Sequence, residues 1–189
     1  MLSEVFWLFI SDIASPYTLG CVLAVYILYC FSKTQYHMGM FLFLTSGTGL
    51  LLVGFIKSLV QRERPVDALV QLSDYSFPSG HATFATIFFF LIVYVAYKHY
   101  HRYWYLATCV FSFIMIVLVG ISRIELNVHY PSDVLAGYFL GVIVFYVFLS
   151  LFDKDAARHL FGLHKPQKRK YTRRNVRKPT VRKRKLATS

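Results

Sequence analysis

His129 and Asp133 stand four residues apart in the polar run Ser-Arg-Ile-Glu-Leu-Asn-Val-His-Tyr-Pro-Ser-Asp, residues 122–133. On a helix this spacing puts both side chains on one face, and Pro131 suits a first helical turn, where its missing N–H is no loss. Asp133 can then orient one ring nitrogen of His129 and leave the other free for chemistry. A histidine so held is a candidate nucleophile or base. Taken alone, the pair describes a solvated helix contact as readily as a catalytic one. A second stretch, Pro78-Ser79-Gly80-His81, opens an apolar run. Ser79 is a good N-cap, and Gly80 lets a ligand approach the backbone. The N–H groups and dipole of a helix start favour an anion, which His81 would face from the first turn. Lys57, Arg64 and Arg123 add three cations. Singly they read as a snorkelling lysine and ordinary loop arginines. Gathered around two histidines, they make a setting for an anion.

These residues need elements to position them, and the composition supplies membrane helices. Hydrophobic residues are 56% of the 189-residue chain, and they fall in blocks that approach the length of a bilayer crossing. The expected fold is all-α: a polytopic membrane bundle of about five transmembrane helices plus an N-terminal interfacial helix. Residues 1–15 are short and apolar, interrupted by Glu4 and Asp12, with neither a basic leader nor a convincing cleavage site. They read first as an interfacial helix with Trp7 and Phe9 dipping into the bilayer, and alternatively as a sixth, short span. Spans are expected at about 17–31, 38–56, 82–97, 103–121 and 131–152. The first, at 15 residues, reaches only about 23 Å. Ser46-Gly47-Thr48-Gly49 in the second reads as a close-packing stripe, since no Lys-Ser/Thr follows to complete a phosphate loop. Residues 57–78 and 122–130 are polar connections. Cys21, Cys30 and Cys109 all lie in apolar runs and read as packing residues.

The net charge of +12 resides in the C-terminal tail. Residues 165–189 hold twelve Lys and Arg and no acid, while the other nine basic residues match nine acids. The chain thus divides into 1–15, a membrane body 16–155, and a basic tail 156–189 that is expected to be disordered. The tail reads as an anchor to anionic lipid head groups. Nucleic acid is the less favoured partner, because only Tyr171 interleaves an aromatic. Placing the tail and the loop 98–102 on the cytoplasmic side puts 57–78 and 122–130 on the extracytoplasmic face. Lys57, Arg62, Arg64 and Arg123 then oppose the positive-inside trend, and an anionic ligand would account for them. Glu125 and Asp74 are expected to pair with Arg62 or Arg123, or to face water. Tyr130 is expected at the interface.

Lys57-x6-Arg64-Pro65, Pro78-Ser79-Gly80-His81 and Ser122-Arg123-x5-His129-x3-Asp133 resemble, in order and spacing, the three motifs of the type 2 phosphatidic acid phosphatase superfamily. That superfamily also includes bacterial acid phosphatases and vanadium haloperoxidases. The wording from Val128 to Gly137 is similar to that of the small bacterial membrane members; the resemblance thins before residue 17 and stops near 155. It implies that His129 attacks phosphorus and becomes a phosphohistidine, with Asp133 fixing its tautomer. It implies that His81 protonates the leaving oxygen and later activates water. Lys57, Arg64, Arg123, Ser79 and Gly80 would hold the phosphoryl oxygens. No metal or other cofactor is expected, since three cations serve where Mg²⁺ serves elsewhere.

The function so implied is an integral-membrane, metal-independent lipid phosphatase of the cell membrane, acting on a lipid phosphomonoester or pyrophosphate. An undecaprenyl pyrophosphate-like substrate comes first, with phosphatidylglycerophosphate, phosphatidate and lipid A phosphates as alternatives. A haloperoxidase whose vanadate sits in the same cage is the rival activity, and a non-catalytic lipid-binding protein is the rival class. Five lipid-buried spans weigh against the first rival. The intact His81, His129 and Asp133 weigh against the second.

Overall fold

The computed structural model describes residues 2–70 and 74–162, which form helices and their connections. The helices are α1 (Leu2–Ile13), α2 (Pro16–Ser32), α3 (Tyr36–Val60), α4 (Gly80–His99), α5 (Arg102–Glu125), α6 (Pro131–Phe152) and α7 (Lys154–Leu160). Five stretches among the described residues are long and apolar enough to cross a membrane: Glu4–Ser32, Tyr36–Val60, Gly80–His99, Arg102–Glu125 and Pro131–Phe152. The architecture is an all-α, multi-pass membrane bundle.

The sixth helix has the ends that its sequence suggests. Two other helices run past their apolar blocks. The third continues to Val60 and carries Lys57 in its last turn. The fifth continues to Glu125, so Ser122 and Arg123 are helical rather than part of a polar connection. An apolar run ends at its first polar side chain, whereas the backbone hydrogen-bond ladder continues until the chain turns. It turns here at Gln61 and Asn127, both left-handed at φ 49° and 52°, a conformation that Asn tolerates better than most residues.

The first two helices are separated by a capped break. Ser15 accepts a hydrogen bond from Thr18 N at 3.1 Å, and Thr18 Oγ1 donates back to Asp12 O at 2.8 Å. Pro16 takes the first helical position.

The fourth helix is the centre of the bundle and packs against α2, α3, α5 and α6. Its contact with α6 is close because of two glycines. A Cβ on Gly137 would lie 2.7 Å from Ser79 O, and one on Gly141 would lie 2.7 Å from Thr86 Cβ. Small residues at such a seam let helix backbones approach in a membrane. Gly49, within the stripe noted above, plays the same part against α4, where a Cβ would overlap Ile87 Cδ1; Gly47 faces open space. The α4–α6 seam has a direct result for chemistry: Ser79 N donates to Asp133 O at 3.0 Å, which places the starts of α4 and α6 side by side.

At the opposite end Asp153 caps α7, accepting from Ala156 N at 3.0 Å, and its other oxygen accepts from Lys98 at 2.5 Å and Tyr94 at 3.1 Å. Burial would raise this carboxyl's pKa, but the Lys98 hydrogen bond, with those of Ala156 and Tyr94, outweighs burial and lowers it. Ala156 and Ala157 are buried. The first residues of the expected disordered tail are therefore helical and packed, a correction that follows from Asp153 restarting the helix after α6. The basic run 165–189, and with it the expected lipid anchor, lies outside the described residues. The described cysteines are free, as their placement in apolar runs suggests.

Candidate active site

Four helix ends meet at one face of the bundle. Lys57 lies in the last turn of α3, Gly80 and His81 in the first turn of α4, Arg123 in the last turn of α5, and Asp133 in the first turn of α6. The 61–79 connection supplies Arg64 and Ser79, and the turn after α5 supplies His129. That turn is tightly tied: Val128 N and His129 N both donate to Arg123 O, at 3.2 and 3.3 Å. The two connections are joined where Leu69 N donates to Leu126 O at 3.1 Å.

His129 and Asp133 are both buried. The His129 Nδ1 stands 3.6 Å from Asp133 Oδ2, and its Nε2 stands 3.2 Å from Arg64 Nη1. One nitrogen thus faces the carboxylate and the other faces a phosphate-binding candidate. Burial, followed by the charges of Arg64, Arg123 and Lys57, lowers the His129 pKa to about 2. These influences favour the neutral ring, the form that a nucleophilic role would require.

Asp133 is itself held. Its Oδ2 accepts from Tyr130 N at 3.0 Å, and its Oδ1 accepts from Arg62 at 2.7 Å. The same guanidinium reaches Ser132 Oγ at 2.7 Å and lies over the Tyr130 ring, 4.0 Å from its centroid. Arg62 is therefore the partner of Asp133, which corrects its expected pairing with Glu125 or Asp74; Glu125 is exposed, the other outcome read from sequence. A buried carboxylate needs a cation more than an exposed one does, and Arg62 is the one within reach.

Asp74 is also placed differently. Its two oxygens bridge Lys57 Nζ and Arg64 Nη2, each at 2.6 Å. Burial pushes this carboxyl upward, but the hydrogen bonds from Lys57 and Arg64, and their charges, outweigh that and lower it to about 2. Lys57 also donates to Tyr75 O. Arg64 donates from Nε to Asp74 O at 2.9 Å and from Nη1 to Val128 O at 2.7 Å. Arg123 is buried and donates to Ser11 Oγ of α1, while its Nε has no hydrogen-bond partner among the described residues.

Ser79 is fully buried and caps α4, accepting from Ala82 N at 3.4 Å. Its backbone N–H is engaged by Asp133 O, so its contribution to any anion site is confined to the hydroxyl. A Cβ on Gly80 would meet only Val53 Cγ1, at 3.5 Å, an ordinary contact. Packing does not require glycine there. Approach of a ligand to the backbone supplies a reason for it. His81 is half-buried in the first turn of α4. Among the described residues no group of three His, Cys, Asp or Glu side chains is placed to hold a metal ion.

The residues that sequence reasoning missed are Arg62 as the partner of Asp133, Asp74 as the bridge between two cations, and Ser11. A partial signal existed for Arg62, one of four cations on a face that disfavours them. Nothing local marked Ser11.

A family model described as the PAP2 superfamily matches residues 38–156. Phosphatidylglycerophosphatase B of Bacillus subtilis (strain 168) is 36% identical over 126 residues, covering 64% of this chain and 60% of that protein. The match thus spans less than two thirds of that relative's length. Among solved structures, a transmembrane PAP2 type phosphatidylglycerolphosphate phosphatase from Bacillus subtilis aligns with a TM-score of 0.75 and 29% identity, over 82% of this chain and 78% of that one. Aquifex aeolicus LpxE aligns with a TM-score of 0.63 and 26% identity, over 79% and 86% of the two chains.

Proposed function

Because this chain belongs to the PAP2 superfamily, we propose that it is a membrane phosphatase that removes a terminal phosphate from a lipid, phosphatidylglycerophosphate first among the candidates. The single observation that carries this reading is the placement of His129, with one nitrogen toward Asp133 and the other toward Arg64. The relatives' names move phosphatidylglycerophosphate ahead of undecaprenyl pyrophosphate, which the sequence alone put first. Phosphatidate and lipid A phosphates remain further members of the same class.

In this reading His129 Nε2 attacks phosphorus in line, and the bond from phosphorus to the lipid oxygen breaks. His81 gives its proton to that oxygen. The phosphohistidine carries a positive ring, which Asp133 stabilises through Nδ1–H. His81, now neutral, takes a proton from water as the water attacks phosphorus, and phosphate leaves with His129 restored. Lys57, Arg64 and Arg123 stabilise the charge on the equatorial oxygens, with the Ser79 hydroxyl and the Gly80 N–H as neutral donors. The catalytic end faces the extracytoplasmic leaflet. Lys33, Lys98, Arg102, Lys154 and Arg158 lie toward the other end and fit the cytoplasmic side.

The test is phosphate release from a lipid panel by purified protein, with His129→Ala and His81→Ala beside it. The first variant should abolish both phosphoenzyme and turnover. The second should be less impaired on p-nitrophenyl phosphate, whose leaving oxygen needs little protonation. Acid-labile label that persists in His129→Ala and vanishes in His81→Ala would exchange the two roles.

A further inference from the structure

Lys57 and Arg64 are two of the three cations given to the phosphoryl oxygens above, and the inference here rests on that assignment. Both already hold an anion. The Asp74 carboxylate presents one oxygen to each at 2.6 Å, as two oxygens of a phosphoryl group would. We propose that Asp74 is an internal competitor for the phosphoryl group, occupying the Lys57 and Arg64 donors that the substrate must take over.

Two observations separate a competitor from a scaffold. The first is where the three side chains sit. Those of Lys57 and Arg64 are only 12% and 10% exposed, whereas that of Asp74 is 56% exposed. The carboxylate lies on the solvent side and is readily hydrated when it leaves. The second is what else holds the cations. Lys57 keeps the Tyr75 carbonyl, and Arg64 keeps the carbonyls of Val128 at 2.7 Å and of Asp74 itself at 2.9 Å. The cations therefore remain aimed when the carboxylate departs.

An internal competitor has a distinctive quantitative signature. It reduces the fraction of molecules whose cation pair is available, so every ligand needing both cations loses apparent affinity by one common factor. Product phosphate is included, so a returning carboxylate helps phosphate leave after each turnover.

The experiment is calorimetric binding of inorganic phosphate, and separately of orthovanadate, to the full-length protein in detergent. In Asp74→Asn both dissociation constants should fall by the same factor, on the order of tenfold for two partly exposed ion pairs. Asp74→Glu, which keeps the anion, should stay within about twofold of the parent. Asp67→Asn makes the same charge change on an exposed acid of the same connection and should also stay within about twofold. Weaker binding in Asp74→Asn overturns the proposal and makes Asp74 a positioning residue. Equal tightening in Asp67→Asn, or in Asp74→Glu, overturns it in favour of bulk charge or of shape. Failure of phosphate to bind either the parent or Asp74→Asn also overturns it. Asp74→Ser, with its melting temperature read in parallel, provides a second removal of the charge should the amide fold poorly. Because binding is read without turnover, a protein that behaves as stated but hydrolyses no lipid would sink the phosphatase reading alone.

Discussion

At the scale of single residues, His129 links chemistry to stability. Its folded pKa of about 2 lies below the ordinary value of 6.5. Below about pH 6.5 the unfolded chain therefore takes up a proton that the folded chain refuses, and stability falls as pH falls. The slope approaches roughly 1.4 kcal/mol per pH unit for one proton. Asp74 contributes only between its ordinary 3.8 and about 2, too acid to matter in this range. We expect the apparent melting temperature in detergent to drop between pH 7.5 and 5.5, and the drop to be shallower in His129→Gln. Equal slopes in the two proteins would mean that folded His129 is protonated. Arg62 gives a second prediction. Removing it leaves the buried Asp133 without its cation and loosens the carboxylate facing His129. Arg62→Ala should lower kcat on the order of tenfold, roughly 1.4 kcal/mol, with little change in KM, and Arg62→Lys should recover part of it. A rise in KM alone would make Arg62 a substrate contact instead. The motif residues were legible in the sequence because each motif is local: His129 and Asp133 share one turn, and Ser79 to His81 open one helix. Their supporting partners were not. Lys57 meets Asp74 across 17 positions, Arg62 meets Asp133 across 71, and Arg123 meets Ser11 across 112.

At the scale of elements, apolar length announced the helices, and the fold class followed from that alone. What it missed were the polar last turns of α3 and α5, because hydropathy reports the lipid-facing stretch rather than the hydrogen-bonded one. The helix after Asp153 was missed for a different reason: seven residues rich in charge resemble tail until Asp153, Lys98 and Tyr94 are seen together. The α4–α6 seam yields the prediction proper to this scale. Gly141→Leu would drive a side chain into Thr86 Cβ and the Thr83 carbonyl, both within 3 Å of the added Cβ. Such overpacking costs about 1–3 kcal/mol or more. Because Ser79 and Asp133 are joined across the same seam, turnover should fall along with the melting temperature. Gly47→Leu, facing open space, should change neither. A stable and fully active Gly141→Leu protein would show that the seam does not set the site.

At the scale of the whole molecule, stabilisation of the phosphoryl charge is assigned to cations at two helix ends and in the 61–79 connection. Hydrolysis should therefore survive EDTA, and Mg²⁺ should not raise it. Orthovanadate should inhibit at low concentration, since its five-coordinate form imitates the transferring phosphoryl group. Activity lost to the chelator and restored by Mg²⁺ would require a metal in the mechanism.

The convergence of α3, α4, α5 and α6 on one face also sets an order of events during synthesis. Chains emerge from the ribosome N-terminus first, and the site draws its last residue, Asp133, from the first turn of α6. Lys57, Arg64 and His81 are made and inserted before His129 and Asp133 exist. Ser11, made 112 positions before Arg123, waits for that residue to arrive. A partly translocated chain therefore carries the cations without His129, the proposed nucleophile. The proposed hydrolysis requires α6 to have entered the bilayer beside α4, so activity would report that this step of insertion is complete.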